Sequence, residues 1–208
     1  KSMPECLKRV QNVRELRLAS KSAPTQKLAD KPTRFHVENF PHGNYIVVPE
    51  VSSEKRIYVP MGFLSPDIFC SNLVKIIPSA TLYHFGVLTS SVHMAWMRAV
   101  CGRLKSDYRY SKDIVYNNFP WPGVETFHET SLQTKIEKTA QAILDARALY
   151  PDSSLADLYD ETLMPPELRR AHRVNDEVVM AAYGFDSKIP EQEVVARLFQ
   201  MYESLIGK

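Results

Sequence analysis

GRLKSDYRYSKDIVYNNFPWP, residues 102–122, sets charged side chains, four tyrosine or tryptophan rings and two asparagines between a glycine and a Pro120-Trp121-Pro122 stop. Such a stretch is too polar for a buried strand and too aromatic for a flexible linker, so it forms either a structured surface or a surface that reads another molecule. It also divides the chain. Strand patterns and one strong helical pattern precede it, whereas only helical patterns follow. The expected fold class is therefore α+β: a mixed α/β domain with a small, mainly antiparallel sheet, then an all-α domain.

Upstream, YIVVPEV (45–51) and RIYVPMGFL (56–64) are rich in β-branched and aromatic residues and flank a polar SSEK loop, which predicts a hairpin. LVKIIP (73–78) predicts a third strand, and Pro49 and Pro60 mark edges or bulges. From His84 onward, one helical stripe holds Phe85, Leu88, Val92, Ala95, Trp96 and Ala99, with Gly102 placed to cap it. Near the start, residues 4–19 read as an amphipathic helix with Leu7, Val10, Val13 or Arg14, and Leu18 on its stripe, followed by a polar connector.

Downstream, three helices are expected at about 131–149, 166–183 and 191–206. Pro166 opens the second, Gly184 follows it, and Pro190 precedes the third, whose stripe is Val194, Val195, Leu198, Met201, Tyr202 and Leu205. The expected division is 1–32, a helix and connector; 33–122, the mixed domain; and 123–208, the helical domain. Trp96 and Trp121 are expected in the core.

The net charge of +2 conceals an asymmetry: residues 1–122 carry 17 Lys and Arg against 9 Asp and Glu, a balance of +8, while 123–208 carry 9 against 15, a balance of −6. A basic first part suits phosphate and an acidic second part would be repelled by it and face elsewhere, but both can be ordinary solvated surfaces, the reading that charge alone favours. Cys6, Cys70 and Cys101 are odd in number and form no CxxC pair, so neither a disulfide framework nor a zinc site is indicated. No apolar run approaches the roughly 20 residues of a membrane helix, and the basic start lacks the apolar block of a signal peptide. A reducing cytoplasm, bacterial or archaeal, is the expected location. Beginning on Lys1 rather than on Met is expected of a piece of a longer chain.

Catalytic motifs are not found. The histidine pairs 36/42 and 84/93 lack ligand spacing, and there is no HExxH, Walker loop, GxGxxG or GxSxG. YNNFP (116–120) lacks the prolines of an NPPY-type amino-methyltransferase turn. Pro151-Asp152 with Asp186 and Lys188 imitates a nuclease PD…DxK pattern, but helices intervene where strands would carry the metal ligands.

Four stretches together, VSSEKRIYVPMGFL, FGVLTSSVHMAWMRAVCGRLKSDYRYS, IVYNNFPWP and LADLYDETLMPPELRRAH, make the chain resemble the C-terminal part of MmeI-like DNA methyltransferases of type IIL restriction-modification and phage defence. The similarity spans about 33–208 and implies a target-recognition domain followed by a helical C-terminal domain. It also implies that methyl transfer to adenine N6, from S-adenosylmethionine, belongs to an upstream domain of the same protein. No cofactor or catalytic residue is then expected in this chain, and its partners are double-stranded DNA and that upstream domain. The rival reading is a protein-interaction module of a defence complex.

If residues 104–110 are extended, Lys105, Asp107 and Arg109 share one face, and Leu104, Ser106, Tyr108 and Tyr110 the other. A lysine and a carboxylate can engage guanine and cytosine of one base pair in the major groove, or simply pair with each other at a solvated surface. The residues alone leave this open. The resemblance decides for base reading, because the family's two variable positions between GRL and YRYS match Lys105 and Asp107; Arg109 is the third candidate. Lys55, Arg56, Arg103, Lys112, Asn117 and Asn118 are candidates for the DNA backbone.

Overall fold

The computed structural model describes residues 3–38, 41–123 and 128–207, and the chain divides into two compact units, 1–40 and 41–208. In the first, α1 (Pro4–Leu18) begins on proline, whose missing N–H costs nothing there, and is followed by α2 (Ala23–Lys27) and a 3-10 turn at Leu28–Asp30. The expected apolar stripe of α1 is not buried: Leu7 is 64% exposed and Leu18 54%. Polar bonds tie the unit together instead. The Arg17 guanidinium donates to the carbonyls of Leu28 (2.9 Å), Lys31 (2.8 Å) and Arg34 (2.6 Å). Ala29 alone among residues 3–38 is buried.

In the second unit, β1 (Tyr45–Pro49) is the centre of an antiparallel sheet between β3 (Gly62–Leu64) and β4 (Val74–Pro78). The expected pairing of the first two strand segments holds at Tyr45↔Leu64 to Val47↔Gly62, but not as a tight hairpin closed by SSEK. After Glu50 the chain leaves this sheet as β2 (Val51–Ser52) and joins a second one, so residues 56–61 run as irregular chain with Tyr58, Val59 and Met61 buried. Pro49 ends the central strand rather than lying on an edge; it faces Val74.

The helix expected from His84 is two helices, α3 (Leu82–Leu88) and α4 (Ser91–Val100). The Thr89 and Ser90 hydroxyls donate back to the carbonyls of Phe85 and Val87, and Ser90 caps α4, which breaks the run. Phe85, Leu88, Val92, Ala95 and Trp96 are buried as expected, whereas Ala99 is exposed and Gly102 opens a strand instead of capping.

The three expected downstream helices are present as α5 (His128–Ala148), α7 (Pro166–Ala182) and α8 (Glu191–Ile206), and a short α6 (Leu155–Leu158), not expected from the sequence, lies between the first two. Gly184 adopts φ +67° just past α7, the left-handed conformation that glycine reaches without a Cβ clash. Val194 and Leu198 of α8 are buried, but Leu205 is 60% exposed.

One core runs through the whole second unit, joining Ile46 and Trp96 to Ile136, Leu168 and Leu198. At Gly86 the elements approach closely: an added Cβ would meet Ile136 Cγ2 at 2.6 Å. There the Asn175 amide donates to the Gly86 carbonyl (2.8 Å) and accepts from the Thr139 hydroxyl (2.8 Å), so α3, α5 and α7 meet with their polar groups satisfied. Trp121 is only half-buried, a correction to the expectation, with its ring against Tyr83, His84, Tyr116 and Phe119.

Asp176 of α7 accepts from the Ser91 N–H at the start of α4 (2.7 Å) and from the Tyr58 hydroxyl (2.7 Å). Burial outweighs these donors and pushes its carboxyl from 3.8 up to about 6. A folded pKa above the unfolded one means that the folded state holds the proton more tightly. The contribution of this group to stability therefore falls as pH rises from about 4 to about 6. Asp176→Asn, which carries no charge, should gain on the parent across that window by about 2 kcal/mol, read by urea unfolding at about pH 4 and about pH 7. A difference that does not change with pH would contradict this.

Candidate nucleic-acid interface

Residues 102–109 fold back on themselves. β5 (Gly102–Leu104) and β6 (Asp107–Arg109) pair antiparallel as Gly102↔Arg109, Arg103↔Tyr108 and Leu104↔Asp107, and β2 pairs on the other side of β6. The expectation of a single extended segment over 104–110 is corrected. Lys105 and Ser106 are the two-residue loop of a hairpin, and Lys105 has φ +57°. Tight hairpin loops need a positive φ and usually place Gly, Asn or Asp there. A lysine that accepts this conformation stores strain at the tip.

The faces follow from the pairing. Asp107 and Arg109, two apart on β6, share one side, and the intervening Tyr108 points to the other, where it is buried. Lys105 stands at the tip, exposed, and among the described residues it makes no ion pair; in particular it does not pair with Asp107. Asp107, half-buried, accepts a long bond from the Glu54 N–H (3.4 Å). Leu104, expected on the packing side, is 52% exposed, because its strand ends at the tip. Tyr108 and Tyr110 are 7% and 3% exposed, so neither ring is available as a protein-binding surface.

Arg109 is held. Its Nε (3.2 Å) and Nη2 (3.1 Å) donate to Glu50 Oε1, while Lys75 Nζ donates to Glu50 Oε2 (3.0 Å). Hydrogen bonding from Lys75 first, then from Arg109, holds the Glu50 carboxyl below its ordinary 4.5. The Glu50 backbone is fixed as well, its N–H donating to Leu73 O (2.9 Å) and its carbonyl accepting from Tyr110 N–H (2.7 Å). One residue thus ties both sheets together and holds Arg109, whose Nη1 makes no hydrogen bond among the described residues. The sequence reading missed Glu50. A lone carboxylate in the apolar run YIVVPEV was the available signal, since such a charge needs a partner.

The remaining candidates separate into engaged and open groups. Arg103 lies 4.1 Å over the Tyr108 ring and donates to Ser106 O (2.8 Å), so it braces the hairpin. Lys55 is exposed and Arg56 half-buried in the loop beyond β2. Lys112 is exposed, its Nζ 3.8 Å from Asp113, and opens a five-residue π-turn at Lys112–Tyr116 capped by Ser111. Asn117 is exposed and Asn118 half-buried. Behind the hairpin, Tyr110 meets the fully buried His93 at Nε2 (2.9 Å), whose imidazole burial pushes down to about 3 and keeps neutral. Asp152 and Asp186 lie on helix-to-helix connections, and among the described residues no group of three or more His, Cys, Asp or Glu is placed to hold a metal. No helix among the described residues is long and apolar enough to cross a membrane.

Comparison with known proteins places these features in context. The model of the MmeI target recognition domain matches residues 1–123, and that of the MmeI C-terminal domain matches 129–208. The chain is 40% identical over 203 residues to DNA methyltransferase A of Bacillus subtilis (strain 168), covering 96% of this chain and 22% of that protein. The solved structure of the type IIL restriction-modification enzyme MmeI in complex with DNA superposes with a TM-score of 0.91 at 42% identity, covering 99% of this chain and 27% of that one. The chain thus spans about a quarter or less of the length of these relatives.

Proposed function

We propose, from the premise that the chain belongs to the MmeI family of target recognition and C-terminal domains, that it docks on duplex DNA and selects the site modified by an adenine-N6 methyltransferase. The observation that carries this reading is Lys105: a strained, unpaired lysine at a hairpin tip, with a carboxylate two residues on and a buttressed arginine two beyond that. Lysine or arginine donates to guanine O6 and N7, and a carboxylate accepts from cytosine N4, so Lys105 with Asp107 spans one G·C pair and Arg109 addresses a neighbour. Lys55, Arg56, Lys112, Asn117 and Asn118 lie on the phosphates and set the register. Arg103 acts at one remove, through the hairpin that it braces.

In this reading the methyl group comes from S-adenosylmethionine bound by another domain of the same cytoplasmic protein, and this chain contributes recognition without catalysis. The chain should bind duplex DNA weakly, with log affinity falling linearly as log salt rises, because neutralised phosphates release counterions. Filter binding or anisotropy across a salt series measures this. Salt-independent binding would contradict it, and methyl transfer by the chain alone with S-adenosylmethionine would contradict the division of labour.

A further inference from the structure

A cleft of about 260 Å³ opens between β4 and residues 110–117, beside the Lys75–Glu50–Arg109 contact. Its lining is divided by chemistry. The floor is apolar: Val48 (0% exposed), Tyr110 (3%) and Ile77, with the Tyr110 hydroxyl already bonded to His93. Polar groups ring it: Lys75, Lys112, Tyr116, and the Asn117 carboxamide, which has no hydrogen-bond partner among the described residues. A bare phosphate has no use for the floor, and a stacked base pair cannot enter. The element of duplex DNA that combines an anion with an apolar face is a phosphate together with its deoxyribose, whose C2′ is a methylene.

We propose that this cleft seats one phosphate-deoxyribose unit of the bound duplex, with Lys112 and Asn117 on the phosphate, and that its floor rejects ribose at that nucleotide. The inference rests on the DNA-recognition reading above and adds to it a choice of sugar. A 2′-hydroxyl pressed against the half-buried Ile77 gives up its water to a side chain with no hydrogen-bonding group, a penalty that separates ribose from deoxyribose at one site.

The test walks a single ribonucleotide along each strand of a duplex selected by the 208-residue chain from a randomised pool. At one nucleotide the ribose should lower affinity about tenfold, with little effect elsewhere. Ile77→Thr, which keeps the β-branched shape and supplies a hydroxyl, should remove that penalty and leave the salt dependence as it was. Lys112→Ala should lower the number of counterions released by about one. A walk with no position-specific penalty overturns the proposal while salt-dependent binding still supports DNA recognition; the walk needs no variant, so a misfolded Ile77→Thr does not block it. A penalty that Ile77→Thr leaves intact, or a Lys112→Ala variant with the parental salt dependence, places the contact elsewhere and also overturns it. Failure of the chain to bind any duplex sinks both readings together.

Discussion

Trp96→Ala should lower the free energy of unfolding by about 3 to 5 kcal/mol, because it removes a large buried ring and leaves a cavity that the surrounding elements cannot close. Trp96 is 1% exposed and stands where three elements converge. Its Nε1 donates to Val115 O (3.0 Å) in the turn after the hairpin, and its ring lies 5.1 Å from that of Phe199 and 6.0 Å from that of Tyr202, both on α8. The substitution thus also removes the indole donor from the carbonyl of the buried Val115. Urea unfolding of parent and variant measures the loss. A change under about 1 kcal/mol would contradict the packing described. Trp121→Ala should cost less, since Trp121 is only half-buried.

Lys105→Glu combined with Asp107→Arg should reverse the reading of one base pair. The donor and the acceptor define a direction across a G·C pair, and exchanging their signs exchanges the base preferred on each strand, with neighbouring positions unchanged. The single changes should mainly lose recognition, because each leaves two like charges facing one pair, and a wrong pairing at one position is typically worth about 1 to 3 kcal/mol. Mapping methylated sites genome-wide, in cells carrying each variant within the methyltransferase that this chain is proposed to serve, reads the outcome. An unchanged motif in the double variant would show that these side chains decorate the hairpin without reading bases.

Parts of this architecture were legible in the linear chain, and the division follows the range of the interactions. The helices at 166–182 and 191–206 announce themselves through Pro166, Pro190, Gly184 and their apolar periods, all local signals. The β1–β3 pairing was visible as two β-branched runs, but the diversion of Val51–Ser52 to pair with Tyr108–Arg109 was not, because partners so far apart in sequence leave no local trace. The hairpin tip was missed for a different reason. Lys105-Ser106 carries none of the Gly or Asn chemistry that marks tight turns, so nothing short of the fold reveals the positive φ. The proposed readers Lys105, Asp107 and Arg109 fall on one hairpin, but only Asp107 and Arg109 share a strand face, because Lys105 lies in the loop that interrupts the extended segment expected there. Glu50 escaped notice because its meaning depends on Lys75 and Arg109, which reach it only once both sheets are assembled.

The core that runs unbroken past residue 123 bears on how specificity can change over generations. The two family matches meet at 123 and 129, which looks like a natural point for recombination between relatives. Yet Tyr58 bonds to Asp176, Arg98 to Glu191, Pro120 O to Tyr183, and Gly86 O to Asn175, each across that boundary. A crossover there inherits mismatched halves of four contacts at once, whereas replacing exposed side chains at the hairpin tip disturbs none of them. If the hairpin tip reads the target as proposed, lineages carrying this fold should diversify their targets by point substitution on one small loop, and the helical tail should descend together with the residues it bonds.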